Sequence, residues 1–376
     1  MLLFDATHRT LKSVVAQLQQ AGRKGRSAAL YQQCIEAMER ARALNDDAAF
    51  VLIAQTFGLV IDQDGYSDSS IAWLTEAAER AQRCGEFGEQ SHMLYLIGRA
   101  YYSRAEYGVA LGYWTSGIDV AARDGDRISW SWCKLGLGQI CDALDSPALA
   151  VKVFSDLGLT LSTLDSSAQR LPISQRARFE MRLRELRVVN TVNLGVNQLH
   201  LGDFSAAVAS LRHGSGLAVT AEMEDIASEC EVRIAEATFL QGDPALALAL
   251  LVPAQAALEA CAHHWGLATL YLLRSQCQST LGQLPESMHS ILKARIAARR
   301  ANAKHIALRI ELENARVAEK SADIADALKS MKLVVALQAE LDVGNKSHML
   351  RHLQELAGLT GSLGLEVRGF LFGGKL

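Results

Sequence analysis

Residues 94–117 read LYLIGRAYYSRAEYGVALGYWTSG. Small residues stand at Gly98 and Gly117, bulky ones at Tyr101, Tyr107 and Trp114, and Arg104-Ala105-Glu106 separates two apolar stretches. Apolar residues recur at i, i+3, i+4 and i+7 on either side of that break, which predicts two antiparallel helices joined by a tight turn. A glycine in the first helix lets the second approach closely. The Trp114 side chain then fills the gap between this unit and its neighbour.

The same layout recurs along the chain. Turn-forming runs centre on Gly25, Gly65, Ala105 and Asp145, forty residues apart, and again on Gly202, Gly242, Gly282 and Ala322, also forty apart. The step between the two sets is 57, so 17 extra residues interrupt one period. Seven residues before each centre stand Leu18, Gly58, Gly98, Gly138, Gly195, Ala235, Ser275 and Ala315, small in all but the first. Nine residues after it stand Cys34, Leu74, Trp114, Phe154, Leu211, Leu251, Ile291 and Met331, all apolar. Three residues further on come Ala37, Ala77, Gly117, Leu157, Gly214, Ala254, Ala294 and Val334, mostly small. Aligned columns of small and large residues at a fixed period mark a repeat array. No single helix pair can bury its own apolar face, so the pairs stack into a curved solenoid.

This pattern resembles the tetratricopeptide repeat superfamily. Leu94, Ile97-Gly98 and Tyr101, followed by Tyr107, Ala110, Trp114 and Gly117, match its alternation of small and large residues, and Leu194-Gly195, Gly202-Asp203-Phe204 and Ala207 repeat the match. The forty-residue period is longer than the family's usual length of about 34. Longer helices of this kind resemble the sensor domains of bacterial transcription activators, peptide-pheromone receptors and repeat-linked cyclases. HEAT repeats share a period near forty but not the Gly-Asp-Phe turn. The resemblance, over about residues 5–340, implies an all-α, right-handed solenoid of about eight antiparallel helix pairs.

The expected organisation is four helix pairs over residues 1–163, a loop or hinge at 164–173, and four more pairs over 174–343. A capping helix over 344–362 and an irregular tail over 363–376 follow. Ser166-Ser167 and Leu171-Pro172 mark the loop. Two readings of the extra length stand: a lengthened helix pair with a polar, solvated end, or a hinge between half-solenoids. The final helix is expected to cover the apolar face of the last pair, as terminal repeats require.

Composition narrows the function. With 38 basic and 41 acidic residues the net charge is −3, which implies neither nucleic acid nor an anionic membrane as partner. Basic runs such as Arg23-Lys24-Gly25-Arg26 read as solvated helix faces. Seven scattered cysteines without CxxC spacing suit a reducing cytoplasm. No run of eighteen apolar residues exists, and the apolar start of MLLFDATHRTLKS is too short for a secretory signal. Gly369, Gly374 and Lys375 imitate a phosphate-binding loop, but Leu376 follows where Ser or Thr is needed. Asp62, Asp64 and Asp68 lack the spacing of a calcium loop. His348 with His352, and Cys261 with His263 and His264, lack further ligands, so no metal and no cofactor is expected.

The resemblance also implies that the first helix of each pair lines an inner, concave wall. Counted from the small column, the residues facing that wall are Gln55, Tyr95, Arg99, Tyr102, Trp132 and Gln139 in the first half. In the second half they are Asn193, Asn197, Arg233, Gln276, Arg309 and Arg316, with Glu229, Glu236 and Glu313 close by. Asn190, Asn193 and Asn197 share one helix face. Asparagine is a poor helix former whose amide both donates and accepts, which suits gripping an extended peptide backbone or bonding neighbouring helices. In peptide-binding relatives of this superfamily, Asn and basic residues at the places matched by Asn193 and Arg233 hold the ligand. The two-lysine carboxylate clamp is absent, since Trp132 and Leu135 stand there.

The expected function is therefore a cytoplasmic, non-enzymatic scaffold that binds a protein or peptide in its groove. Two alternatives stand: a sensory module of a bacterial signalling protein, and an accessory protein acting on a response regulator through Gln55 or Gln139.

Overall fold

The computed structural model describes residues 2–24, 27–165, 173–341 and 346–358. The first half comprises α1 (Leu2–Lys24), α2 (Ala28–Ala43), α3 (Asp47–Val60), α4 (Asp68–Arg83), α5 (Phe87–Ser103), α6 (Tyr107–Asp124), α7 (Arg127–Ala143) and α8 (Pro147–Ser162). The second comprises α9 (Ile173–His200), α10 (Phe204–Thr220), α11 (Glu224–Leu240), α12 (Pro244–Ala260), α13 (His264–Thr280), α14 (Leu284–Arg300), α15 (Lys304–Lys320) and α16 (Ile324–Leu341). A last helix, α17 (Lys346–Gly358), follows. The molecule is an all-α solenoid of consecutive helix pairs. None of the described helices is long and apolar enough to cross a membrane.

The turns set the geometry. Left-handed residues fall at Asn45, Gly65, Gly85, Ala105, Gly125 and Asp145, then at Gly202, Glu222, Gly242, Ala262, Gly282, Asn302 and Ala322. The backbone step is therefore twenty residues, and the turn between pairs is built like the turn within a pair. At each, the N–H after the left-handed residue donates five positions back, as Glu106 does to the Tyr101 carbonyl (2.9 Å). That same residue begins the next helix. Asp126 N–H closes α6 on the Ala121 carbonyl (3.0 Å), while its carboxylate accepts from the N–H groups of Ile128 and Ser129 at the start of α7. Ala105 holds φ 63° without glycine's freedom. Ala105→Gly should raise the unfolding free energy by about 0.5–1 kcal/mol, the left-handed penalty less glycine's entropy cost. A lowered denaturant midpoint would contradict it.

Between turns, the aligned columns pack as the size pattern predicts. Trp114 is fully buried, and a Cβ at Gly98 of its own pair or at Gly136 of the next would run into its indole. Its Nε1–H donates to the Tyr95 carbonyl (3.0 Å). Phe154 seats against Gly138, and Leu211 against Gly195, in the same manner. The large column is buried from Cys34 to Ile291, but Met331 is 44% exposed, since among the described residues no helix pair is stacked beyond it.

First helices form the inner layer and second helices the outer, with contacts between successive first helices such as α5 with α7 and α13 with α15. Curvature brings distant parts together: Asn302 Nδ2 donates to the Gly65 carbonyl (2.8 Å).

Two expectations need correction. Helix α17 does not cover the last pair; it lies against α7 and α8, burying Met349 and Leu353 in the first-half core. Ile324, Leu328, Met331 and Val335 of α16 stay exposed. Where its side chains are described, from Arg176 on, the extra length near residue 170 is not simply a solvated end. It extends α9 to 28 residues and brings arginines onto α5 and α7. Residues 166–172, 342–345 and 359–376 lie outside the described residues, and with them most of the expected hinge, the ends of the expected cap and the tail.

Candidate functional site

The inner wall of the first half is built from α3, α5, α7 and the extended start of α9. On α5, His92 and Tyr95 lie one turn apart, with ring centroids 5.9 Å from each other. Trp132 of α7 packs against both, 4.9 Å from Tyr95 and 6.1 Å from His92. Arg99 donates to the Gly58 carbonyl of α3. Gln55 of α3 donates to Glu89 of α5, which also meets Arg178 at 2.6 Å and Arg182 at 3.5 Å. Arg182 donates as well to Ser129 Oγ (2.9 Å). The extension of α9 thus reaches across α7 to α5. Burial, with Arg182, Arg178 and Arg99 nearby, pushes the His92 imidazolium well below its usual range, so the ring is neutral near pH 7. Burial pushes the Tyr95 hydroxyl up to about 12.

Of the expected wall residues, Tyr95, Arg99 and Trp132 come together here. Tyr102 instead packs on Tyr107 and Trp114, with ring centroids 5.6 and 5.9 Å away. In the second half, Arg233 and Arg309 are joined through Glu236, whose two carboxylate oxygens meet them at 2.8 and 3.2 Å. Burial alone would raise the Glu236 carboxyl, but Arg233 and Arg309 hold it at about 2. His305 packs tilted against Trp265, with ring centroids 4.6 Å apart, and His200 meets Asp142 at 2.9 Å. Gln276 is half-buried on α13, and Arg316 is largely exposed beside Glu313.

The asparagine face does not form a peptide grip. Asn190 is buried and donates to the Phe154 carbonyl of α8 (3.0 Å). Asn197 is 1% exposed and donates to the Asn193 carbonyl (2.9 Å); Asn193 donates to Val189 of its own helix (2.9 Å). Two of the three amides are thus buried, with Asn190 Oδ1 and Asn197 Oδ1 accepting no hydrogen bond. Asn190 bonds a neighbouring helix, the second of the two roles its chemistry allowed, while Asn193 and Asn197 bond back to their own helix.

One regularity runs through the whole wall. Among the described residues, buried side-chain polar atoms lacking a hydrogen bond lie on first helices, and none lies on a second helix. They include His92 Nδ1, Arg99 Nε, Trp132 Nε1, Gln139 Oε1, Arg182 Nε and Arg233 Nε. Leaving such atoms unsatisfied costs about 1–3 kcal/mol each. The sequence pattern missed Glu89, His92, Arg178 and Arg182. The two arginines belong to the extra residues, which have no counterpart in other repeats to align against.

No protein-family model matches the chain, and no curated protein matches it. Solved structures do. A Rap protein complexed with competence and sporulation factor superposes with a TM-score of 0.60 at 10% identity, over 94% of this chain and 96% of that one. Aspartyl phosphate phosphatase F from Bacillus subtilis gives 0.47 at 13% identity, over 96% and 97%, too loose a match to bear on the argument. The first likeness shows the fold: a tetratricopeptide-like helical-repeat array.

Proposed function

We propose that the chain is a non-enzymatic cytoplasmic scaffold that holds a polypeptide segment against its inner wall, at the Tyr95, Arg99 and Trp132 surface. The observation that carries this reading is the confinement of unpartnered buried polar atoms to the first helices. A polypeptide offers both carbonyls and N–H groups along an extended line, which suits donors such as Trp132 Nε1 and acceptors such as Gln139 Oε1 spread over successive helices. The likeness to a Rap protein crystallised with a bound factor agrees with such a use of the fold. Gln55 is committed to Glu89, so it is not presented to a docked response regulator as the accessory-protein reading needs.

Trp132→Phe tests the proposal. It removes the indole N–H and keeps most of the packing against Tyr95. Peptides selected on the wild type from a random displayed library should bind the variant about tenfold more weakly, the cost of one unmade hydrogen bond. The melting temperature should change little, because Nε1 has no partner to lose. Selected peptides that bind both proteins equally and crosslink to outer helices would overturn the reading.

A further inference from the structure

Within that reading, on which this inference rests, the first-half wall also indicates the chemistry of the ligand. Its unpartnered atoms on Arg99, Trp132 and Arg182 are donors, beside the acceptor Gln139 Oε1 and the ring nitrogen His92 Nδ1. Trp132 is 7% exposed and Arg182 9%, so bulk water reaches neither freely. Three guanidinium groups, Arg99, Arg178 and Arg182, act together on the neutral His92. Against them stands Glu89, and its capacity is already spent. One oxygen is shared between Arg178 and Arg182, and the other accepts from Gln55. Glu86 and then Asp126 also act on Arg178; Asp126 is occupied as the N-cap of α7 and by the Ser129 hydroxyl (2.6 Å). Burial lowers the Arg178 guanidinium from its usual range, and Glu89, Glu86 and Asp126 offset this only in part.

We propose that this wall receives a carboxylate of the bound polypeptide among Arg99, Arg178 and Arg182, with Trp132 Nε1 donating to the same segment and Glu89 serving as the resident counter-ion. A carboxylate suits the site because it supplies acceptors only, and because paired guanidinium forks bind its two oxygens in a plane. It could come from an Asp or Glu side chain or from a chain terminus, and both present the same group.

The test uses the full-length chain and an array of random hexapeptides, each made with a free and an amidated C-terminus. Acidic peptides should be captured in preference to neutral and basic ones. Retention after amidation would assign an acidic side chain, and loss on amidation the terminal carboxylate. Arg178→Gln combined with Arg182→Gln should weaken that capture about tenfold or more and leave neutral peptides unaffected. Glu89→Gln, nearly isosteric, should strengthen it by releasing the arginines, and it carries the test alone if the double variant does not fold. Equal capture of neutral or basic peptides, or acidic capture unchanged in Glu89→Gln, would overturn the carboxylate assignment while leaving the inner wall as the binding surface. Failure of the wild type to capture any peptide would overturn both.

Discussion

Trp114→Ala should lower the unfolding free energy by about 3–5 kcal/mol, the range for truncating a fully buried large aromatic side chain. The indole is fully buried between Gly98 of its own pair and Gly136 of the next. Neither glycine has a side chain that could move into the void, and helix–helix spacing is held by the Tyr95 and Trp132 packing around it. The loss includes the hydrogen bond to the Tyr95 carbonyl, although that carbonyl keeps its place in α5. Repeat arrays couple mainly to neighbouring units, so the damage should be local. Hydrogen exchange should rise most in α5, α6 and α7 and least in α13 to α16. A loss under about 1.5 kcal/mol, or exchange raised evenly along the chain, would contradict this packing.

The second large effect belongs to Glu236. Its carboxylate is buried and ties Arg233 on its own helix to Arg309 two pairs on. Glu236→Gln should cost about 3–5 kcal/mol, because Arg233 is left as a buried cation with only Glu229 at 3.9 Å. Arg309 is 42% exposed and can turn to water, which favours the lower end of that range. Acid should act in the same direction. Burial, with Arg309 nearby, lowers His305 from 6.5 to about 4, against a smaller opposing pull from Asp142. A depressed folded pKa means that the unfolded chain binds the proton first, so stability falls as pH drops from 6.5 toward 4. Glu236, normally near 4.5 and held at about 2, extends the fall below pH 4.5. Glu313, raised by burial, opposes it in part. Urea unfolding between pH 7 and pH 3 should show both limbs in the wild type, and Glu236→Gln should lose the lower one. A flat profile across that range would refute the burial of both groups.

Comparison with the sequence separates two kinds of information. Helix pairing, the forty-residue period and the interlock of Gly98 with Trp114 were legible because each rests on spacing within one unit or between nearest neighbours. The equality of the two turns was also present, in Asn45, Gly85, Gly125 and Asn302 spaced midway between the recognised centres. Mixed composition hid it, since Glu222 and Ala262 hold the left-handed conformation where glycine would have announced it. For the inner wall, Tyr95, Arg99 and Trp132 could be named from their offset to the small column. The asparagines misled because helical spacing reports a shared face but not what covers it, and α8 covers Asn190.

What the sequence by itself determined, then, was every quantity that repeats: helix, turn, stacking column and the face each first helix turns inward. Periodic size and polarity act locally, so they can be read without knowing where the array goes. Tertiary structure alone decided what occurs once. It placed Arg178 and Arg182 over Glu89, carried Arg309 to Glu236, and set α17 against α7 and α8, with Met331 left bare. These contacts follow from curvature summed over several pairs, as the bond from Asn302 to Gly65 shows across 237 residues. A small rotation at each stacking interface, invisible in any one repeat, accumulates until distant helices meet.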